Sequence, residues 1–225
     1  MDAPSATPTD RAAARLLAVQ MLSPAFPTGG FAYAQGLEWA MSQGVVPDGA
    51  ALAEWLRDLL AHGALWSDAV LLSLALRRDA DPAALDDLAR ALCQSAERLT
   101  ETLEQGAAFA RTAAALCGAP SLPAALPATL PVAVGRALGQ LSLPPAEVIA
   151  LFLHGQALNL VLAAVRFMPL GQTQGQAVLA RLAPDILRAA DRAAVASDAD
   201  LGGCAIGADI AQMRHETMQT RIFRS

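Results

Sequence analysis

The sequence predicts an all-α chain, a single globular bundle of about eight to ten helices around a buried central apolar helix. Three observations carry this. Alanine, the strongest helix former, supplies 52 of the 225 residues, while aromatic residues make up only 4%. Apolar residues recur at the 3–4 spacing of a helix face, and no stretch alternates as a strand does. Finally, Val148 to Val165 runs 18 residues without a charge. With 54% hydrophobic and 16% charged residues, the chain can bury a core and is not an extended disordered polymer.

The elements follow in order. A flexible lead, residues 1–9, precedes a first helix from about Asp10 to Leu22, with Leu16, Leu17 and Met21 on its packed side. Ser23 to Gly30 breaks it, since two prolines lack the amide donor and two glycines permit positive φ. A second helix is predicted from Ala32 to Gln43. Asp48 N-caps a third, whose Leu52, Trp55, Leu56, Leu59 and Leu60 form one apolar face ending at His62-Gly63. Ser67-Asp68 marks a new start, running to Arg77 and Arg78. Asp81-Pro82 opens a long helical region, Ala83 to Leu116, with a possible break at Gly106. Prolines 120, 123, 127 and 131 make Gly118 to Leu130 loop-rich. Pro131 opens a helix to about Leu141, and Pro144-Pro145 opens the apolar helix, which ends before Met168-Pro169. Two helices, Gln172 to Leu182 and Asp185 to Ala196, precede a polar turn at Ser197 to Gly203 and a final segment.

Composition excludes several chemistries. All 16 basic residues are arginine, so Schiff-base catalysis and a phosphate-binding loop lysine are absent. A net charge of −5 argues against a nucleic-acid-gripping face. Cys93, Cys117 and Cys204 are odd in number and form no CxxC pair, which fits a reducing cytosol. The start of the chain lacks the basic residues and apolar run of a secretory signal. His62, His154 and His215 show no metal-ligand spacing, no GxSxG elbow is present, and the acidic residues read as solvation of helix faces. The Val148 to Val165 stretch has the length of a membrane span, but His154, Gln156 and Asn159 suit a helix enclosed by protein. These three could instead line the cavity of a small-molecule enzyme.

Three segments stand out. In SPAFPTGGFAYAQGLEW, Ser23 to Trp39, a Pro/Gly loop carries Phe26, Phe31 and Tyr33, the only tyrosine; these rings serve either as interface anchors or as a plug for the core. RFMPLGQTQGQ, Arg166 to Gln176, is a polar interface or a helix corner. MRHETMQTRIFRS, Met213 to Ser225, keeps Ile222 and Phe223 among arginines, which predicts docking on its own body or on a partner.

At these segments the sequence resembles the UreF family of urease accessory proteins. The matching blocks are SPAxPxGGFxYxxGLEW, AxRxxPLGQTxGQ from Ala164 to Gln176 and the final MRHETxxxRxFRS, in the family's order. ERLTETLEQG, Glu97 to Gly106, resembles its middle helix. Ala32 and Ala34 stand where members often carry serine.

The resemblance spans Leu16 to Ser225 and implies an all-helical, cytoplasmic, dimeric and non-catalytic assembly factor. It implies no cofactor, resident metal or catalytic residue. The implied partners are UreD (UreH), the GTPase UreG and the urease apoprotein, which receives nickel with GTP hydrolysis. The resemblance makes residues 10–212 the helical domain and 213–225 a docking tail that becomes ordered on UreD binding. It nominates Phe26, Phe31, Tyr33, Gln35 and Glu38 from the first block, Gln172 from the second, and Arg214, His215, Glu216, Arg221 and Phe223 from the last as partner-binding residues. Scaffolding is the implied role, with regulation of UreG GTP hydrolysis as the alternative.

Overall fold

The computed structural model describes residues 8–117 and 128–225. Among them it contains ten α-helices and no strand, the predicted class. Helix α1 (Pro8–Met21) starts within the expected lead, the rest of which lies outside the described residues. It buries Ala18 and Met21 but leaves Leu16 72% exposed, contrary to the packed side expected for Leu16. Met21 joins the apolar core with Leu17 packed beside it, and an ion pair from Arg15 to Glu147 adds a polar link.

The predicted second helix is shorter than expected. Gly30–Ala32 forms one 3-10 turn, and α2 spans only Leu37–Ser42. Tyr33 is extended, and Gln35 and Gly36 have φ of 52° and 75°, which no continuous right-handed helix permits. Gly36 is also required by packing: a Cβ there would lie 2.5 Å from the backbone nitrogen of Gln212.

Helix α3 (Gly49–Ala61) is capped as predicted, the Asp48 carboxylate accepting the Ala50 and Ala51 amides at 2.9 Å. Helix α4 (Ala64–Ala75) begins at Gly63, not at Ser67-Asp68. Those two residues are buried within it, and Asp68 pairs with Arg98 instead of capping. The predicted long helix is two, α5 (Pro82–Ala91) and α6 (Ala96–Cys117). The break falls before Ser95, whose hydroxyl accepts the Arg98 amide, while α6 runs through Gly106. The glycine serves close approach there, since its Cβ would meet the Ala128 carbonyl at 2.0 Å.

Most of the predicted loop, residues 118–127, lies outside the described residues. Helix α7 (Leu130–Leu138) starts where the Thr129 amide donates to Asp86 and the Leu130 amide to Thr102. Helix α8 (Pro145–Phe167) is the apolar one; it passes the length and composition test for a membrane span, but 56% of its apolar window is buried inside the protein. Helix α9 (Gln172–Ala194) is continuous through Pro184, where two helices were predicted. Its buried residues lie on both sides of the proline, from Val178 to Ala193, so packing overrides the lost backbone hydrogen bond. A 3-10 turn at Asp198–Asp200 leads to α10 (Ile206–His215).

Helix α9 folds back along α8, and α3 and α4 pack against that pair. Helix α4 is the more enclosed: every residue from Ala64 to Ser73 is buried. Helix α8 buries Ile149, Phe152, Leu153 and Val161 but turns His154 to solvent. His154 therefore does not share a cavity with Gln156 and Asn159, which line a crevice of about 30 Å³, room for a water molecule.

Candidate partner-binding site

Glu216 and residues 221–225 are bonded to the body. From 222 to 225, exposed and buried side chains alternate, Ile222 and Arg224 outward and Phe223 and Ser225 inward, the period of an extended segment. The Arg224 amide donates to the Ala32 carbonyl at 2.8 Å and the Ala34 amide to the Ser225 carbonyl at 2.9 Å. The extended backbone at Tyr33 is thus one side of a short pairing with the tail.

Carboxylates on α2 and α6 hold the remaining groups. Glu38, only 1% exposed, accepts the Ile222 amide at 2.7 Å and the Phe223 amide at 2.8 Å, one on each oxygen. Its Oε2 also lies 3.3 Å from His215 Nε2, and His215 Nδ1 lies 2.7 Å from Glu97. Glu97 in turn pairs with Arg221. Glu216 reaches back to accept the Ala96 amide at 2.7 Å, satisfying a free donor at the start of α6.

One turn further along α6, Glu101 accepts hydrogen bonds from Gln35, Gln105 and Ser225 and sits 3.2 Å from Arg98. Arg98 also bonds Asp68 of α4, both being buried. Burial opposes the Arg98 charge, but Asp68 and Glu101 outweigh it and raise its pKa. At Glu104 the Arg224 guanidinium forms a fork at 2.6 and 2.9 Å, and the Tyr33 hydroxyl donates to the same group. These hydrogen bonds, Arg224 first, hold the Glu104 carboxyl below its ordinary range, while burial and Glu104 push the Tyr33 phenol up. Arg166 closes the arrangement: it donates to the Phe31 carbonyl and lies 4.6 Å from the centroid of the Phe223 ring.

The nominated residues therefore divide. Phe31 is 68% exposed, and Gln172, Arg214, Glu216 and Arg221 are at the surface. Phe26, Tyr33, Gln35, Glu38, His215 and Phe223 are buried and offer a partner little surface in this state. Phe26 plugs the core, 5.3 Å from Phe109 between ring centroids. The tail docks on its own body, one of the two alternatives the sequence left open. The reading of the acidic residues as solvation fails at Glu38, Asp68 and Glu101, all buried in hydrogen-bonded pairs. Glu97, Arg98, Glu101, Glu104 and Arg166 were not singled out, although the first four recur at the 3–4 spacing of one helix face. Among the described residues no group of three His, Cys, Asp or Glu could hold a metal ion.

All four sequence blocks thus meet at one place: the loop and α2, the start of α6, the end of α8, and the tail. The UreF family model matches residues 46–183. The chain is 63% identical over 213 residues to the urease accessory protein UreF of Paracoccus denitrificans (strain Pd 1222), covering 95% of this chain and 97% of that one. It is 58% identical to that of Cereibacter sphaeroides (strain ATCC 17023), covering 95% and 99%. With that of Roseobacter denitrificans (strain ATCC 33942 / OCh 114) it shares 44%, over 93% of each chain. Identity at this level along nearly the whole length places the chain in the UreF family.

Proposed function

We propose that the chain is a non-catalytic accessory factor in urease maturation. It would act in the cytoplasm as a homodimeric scaffold that brings UreD (UreH) and the GTPase UreG to the urease apoprotein, where nickel is the cargo. Beyond membership of the family, the observation that carries this reading is the surface around the docked tail. Phe31 and Ile222 are each 68% exposed, the Ile222 backbone held by buried Glu38 and the Phe31 carbonyl by Arg166, and apolar side chains presented on held backbone make good interface anchors.

Scaffolding is favoured over regulation of GTP hydrolysis because three arginines around the docked tail are already engaged, which leaves exposed Arg214 as the cation of the tail that a regulator would use. Arg221 binds Glu97, Arg224 binds Glu104, and Arg166 binds the Phe31 carbonyl. Any of them would have to leave its partner to serve a nucleotide. The test is co-expression with UreD and UreG followed by size-exclusion chromatography. The full chain should form a stable assembly, and Phe31→Ser should lose it while keeping its helical circular dichroism. Assembly unchanged in Phe31→Ser would remove Phe31 from the contact, and no assembly with the full chain would refute the scaffold role.

A further inference from the structure

We infer that Glu38 is a positioning residue for the partner-binding surface and not part of that surface. The inference rests on the reading above, that the docked tail is presented to partners. Glu38 belongs to the first turn of α2, where a carboxylate ordinarily faces water while favouring the helix N-terminus. Here it is buried, and its hydrogen bonds go to residues 177 to 185 positions away in the chain.

The tail beyond α10 has no helix or strand, so its amides need acceptors from elsewhere. Glu38 takes two consecutive amides on its two oxygens, an arrangement only an acceptor with two oxygens can provide. The backbone at 222–223 is thereby set: the Phe223 side chain turns inward beneath Arg166 and Ile222 turns outward. Because Arg166 also grips the Phe31 carbonyl, it ties the loop to the segment that Glu38 holds. His215, fully buried between Glu38 and Glu97, joins the end of α10 to the same carboxylate. Removing the acceptor releases the tail backbone without altering any exposed side chain.

The experiment uses the full chain with Glu38→Gln, Glu38→Asp and Ile222→Pro. Glutamine keeps one acceptor and puts an NH2 against the second amide; proline deletes one donor from the opposite side of the contact without touching the interior. Amide hydrogen exchange and co-purification with UreD and UreG are measured together. Glu38→Gln and Ile222→Pro should raise exchange across 216–225 roughly tenfold or more and leave α8 protected; Glu38→Gln should also cut co-purification, a readout taken on the Glu38 variants alone because Ile222 is itself an exposed anchor. Glu38→Asp should recover part of both, which a merely structural loss would not. Unchanged tail exchange in Ile222→Pro and in a folded Glu38→Gln overturns the inference and leaves the scaffold reading intact. A loosened tail with undiminished co-purification overturns it also; if Phe31→Ser then co-purifies normally too, the partner-surface reading falls separately.

Discussion

Replacing Asp68 with alanine removes one carboxylate from a buried ion group that joins α4 to α6. Arg98, Asp68 and Glu101 are 4%, 7% and 1% exposed, so water cannot replace the lost partner. Arg98 would keep only Glu101, at 3.2 Å, and Glu101 is already shared with Gln35, Gln105 and Ser225. Breaking one side of a buried pair costs about 3–5 kcal/mol; here Glu101 still balances the Arg98 charge, and the loss comes from the buried Arg98 Nη2 left without its acceptor. For a chain of this size each kcal/mol moves the melting temperature by roughly 2–4 °C, so Asp68→Ala should melt about 6–20 °C lower when followed by circular dichroism. Asp68→Leu combined with Arg98→Met should not recover the loss, since it leaves the buried Glu101 carboxylate without its arginine. A shift below about 3 °C in Asp68→Ala would refute the claim that this charge is compensated mainly inside the protein.

Gly36→Ala should be far more damaging than Gly44→Ala. Both glycines have positive φ, 75° and 70°, but a Cβ at Gly36 strikes the backbone of α10 whereas at Gly44 nothing lies within 4 Å. Urea unfolding should give about 1–2 kcal/mol at Gly44 and more at Gly36, and equal losses would show that the α2–α10 approach is not tight. Pro184→Ala should stabilise the chain by about 1–3 kcal/mol by restoring a helix hydrogen bond to Ala180; a lower melting temperature would contradict a continuous α9. Glu104 has a native pKa below its unfolded value, so its contribution is complete above about pH 4.3 and is lost as pH falls through the native value. The Tyr33 ring signals in NMR should therefore titrate at a lower pH than a free glutamate as the Arg224–Glu104–Tyr33 contact opens, and a midpoint at or above about pH 4.3 would contradict it.

Local signals were read correctly where the cause is local. Asp48 and Asp81 cap the helices they precede because each side chain accepts amides two and three residues onward. The end of α8 at Phe167, before Met168-Pro169, follows from the same short-range sterics. The misread elements have distant causes. Pro184 looked like a break, but α9 is kept continuous by its packing on α8 and α3. Ser67-Asp68 looked like a cap, but Asp68 is held by Arg98, 30 residues away. Gly106 looked like a break, but it makes room for the Ala128 carbonyl.

The candidate site shows the same division. Motif order and composition alone located the loop, the α8 corner and the tail, and identified the family they resemble. They could not separate Phe31, which faces solvent, from Tyr33 and Glu38, which face inward, because a carboxylate reads alike in sequence whether water or a buried amide is its partner. Helical periodicity and caps are properties of a few neighbouring residues, so the chain states them directly. Which acid is desolvated depends on what the fold brings to it from far away, as with the tail amides that reach Glu38 across 184 and 185 positions, and that pairing exists only once the helices have packed.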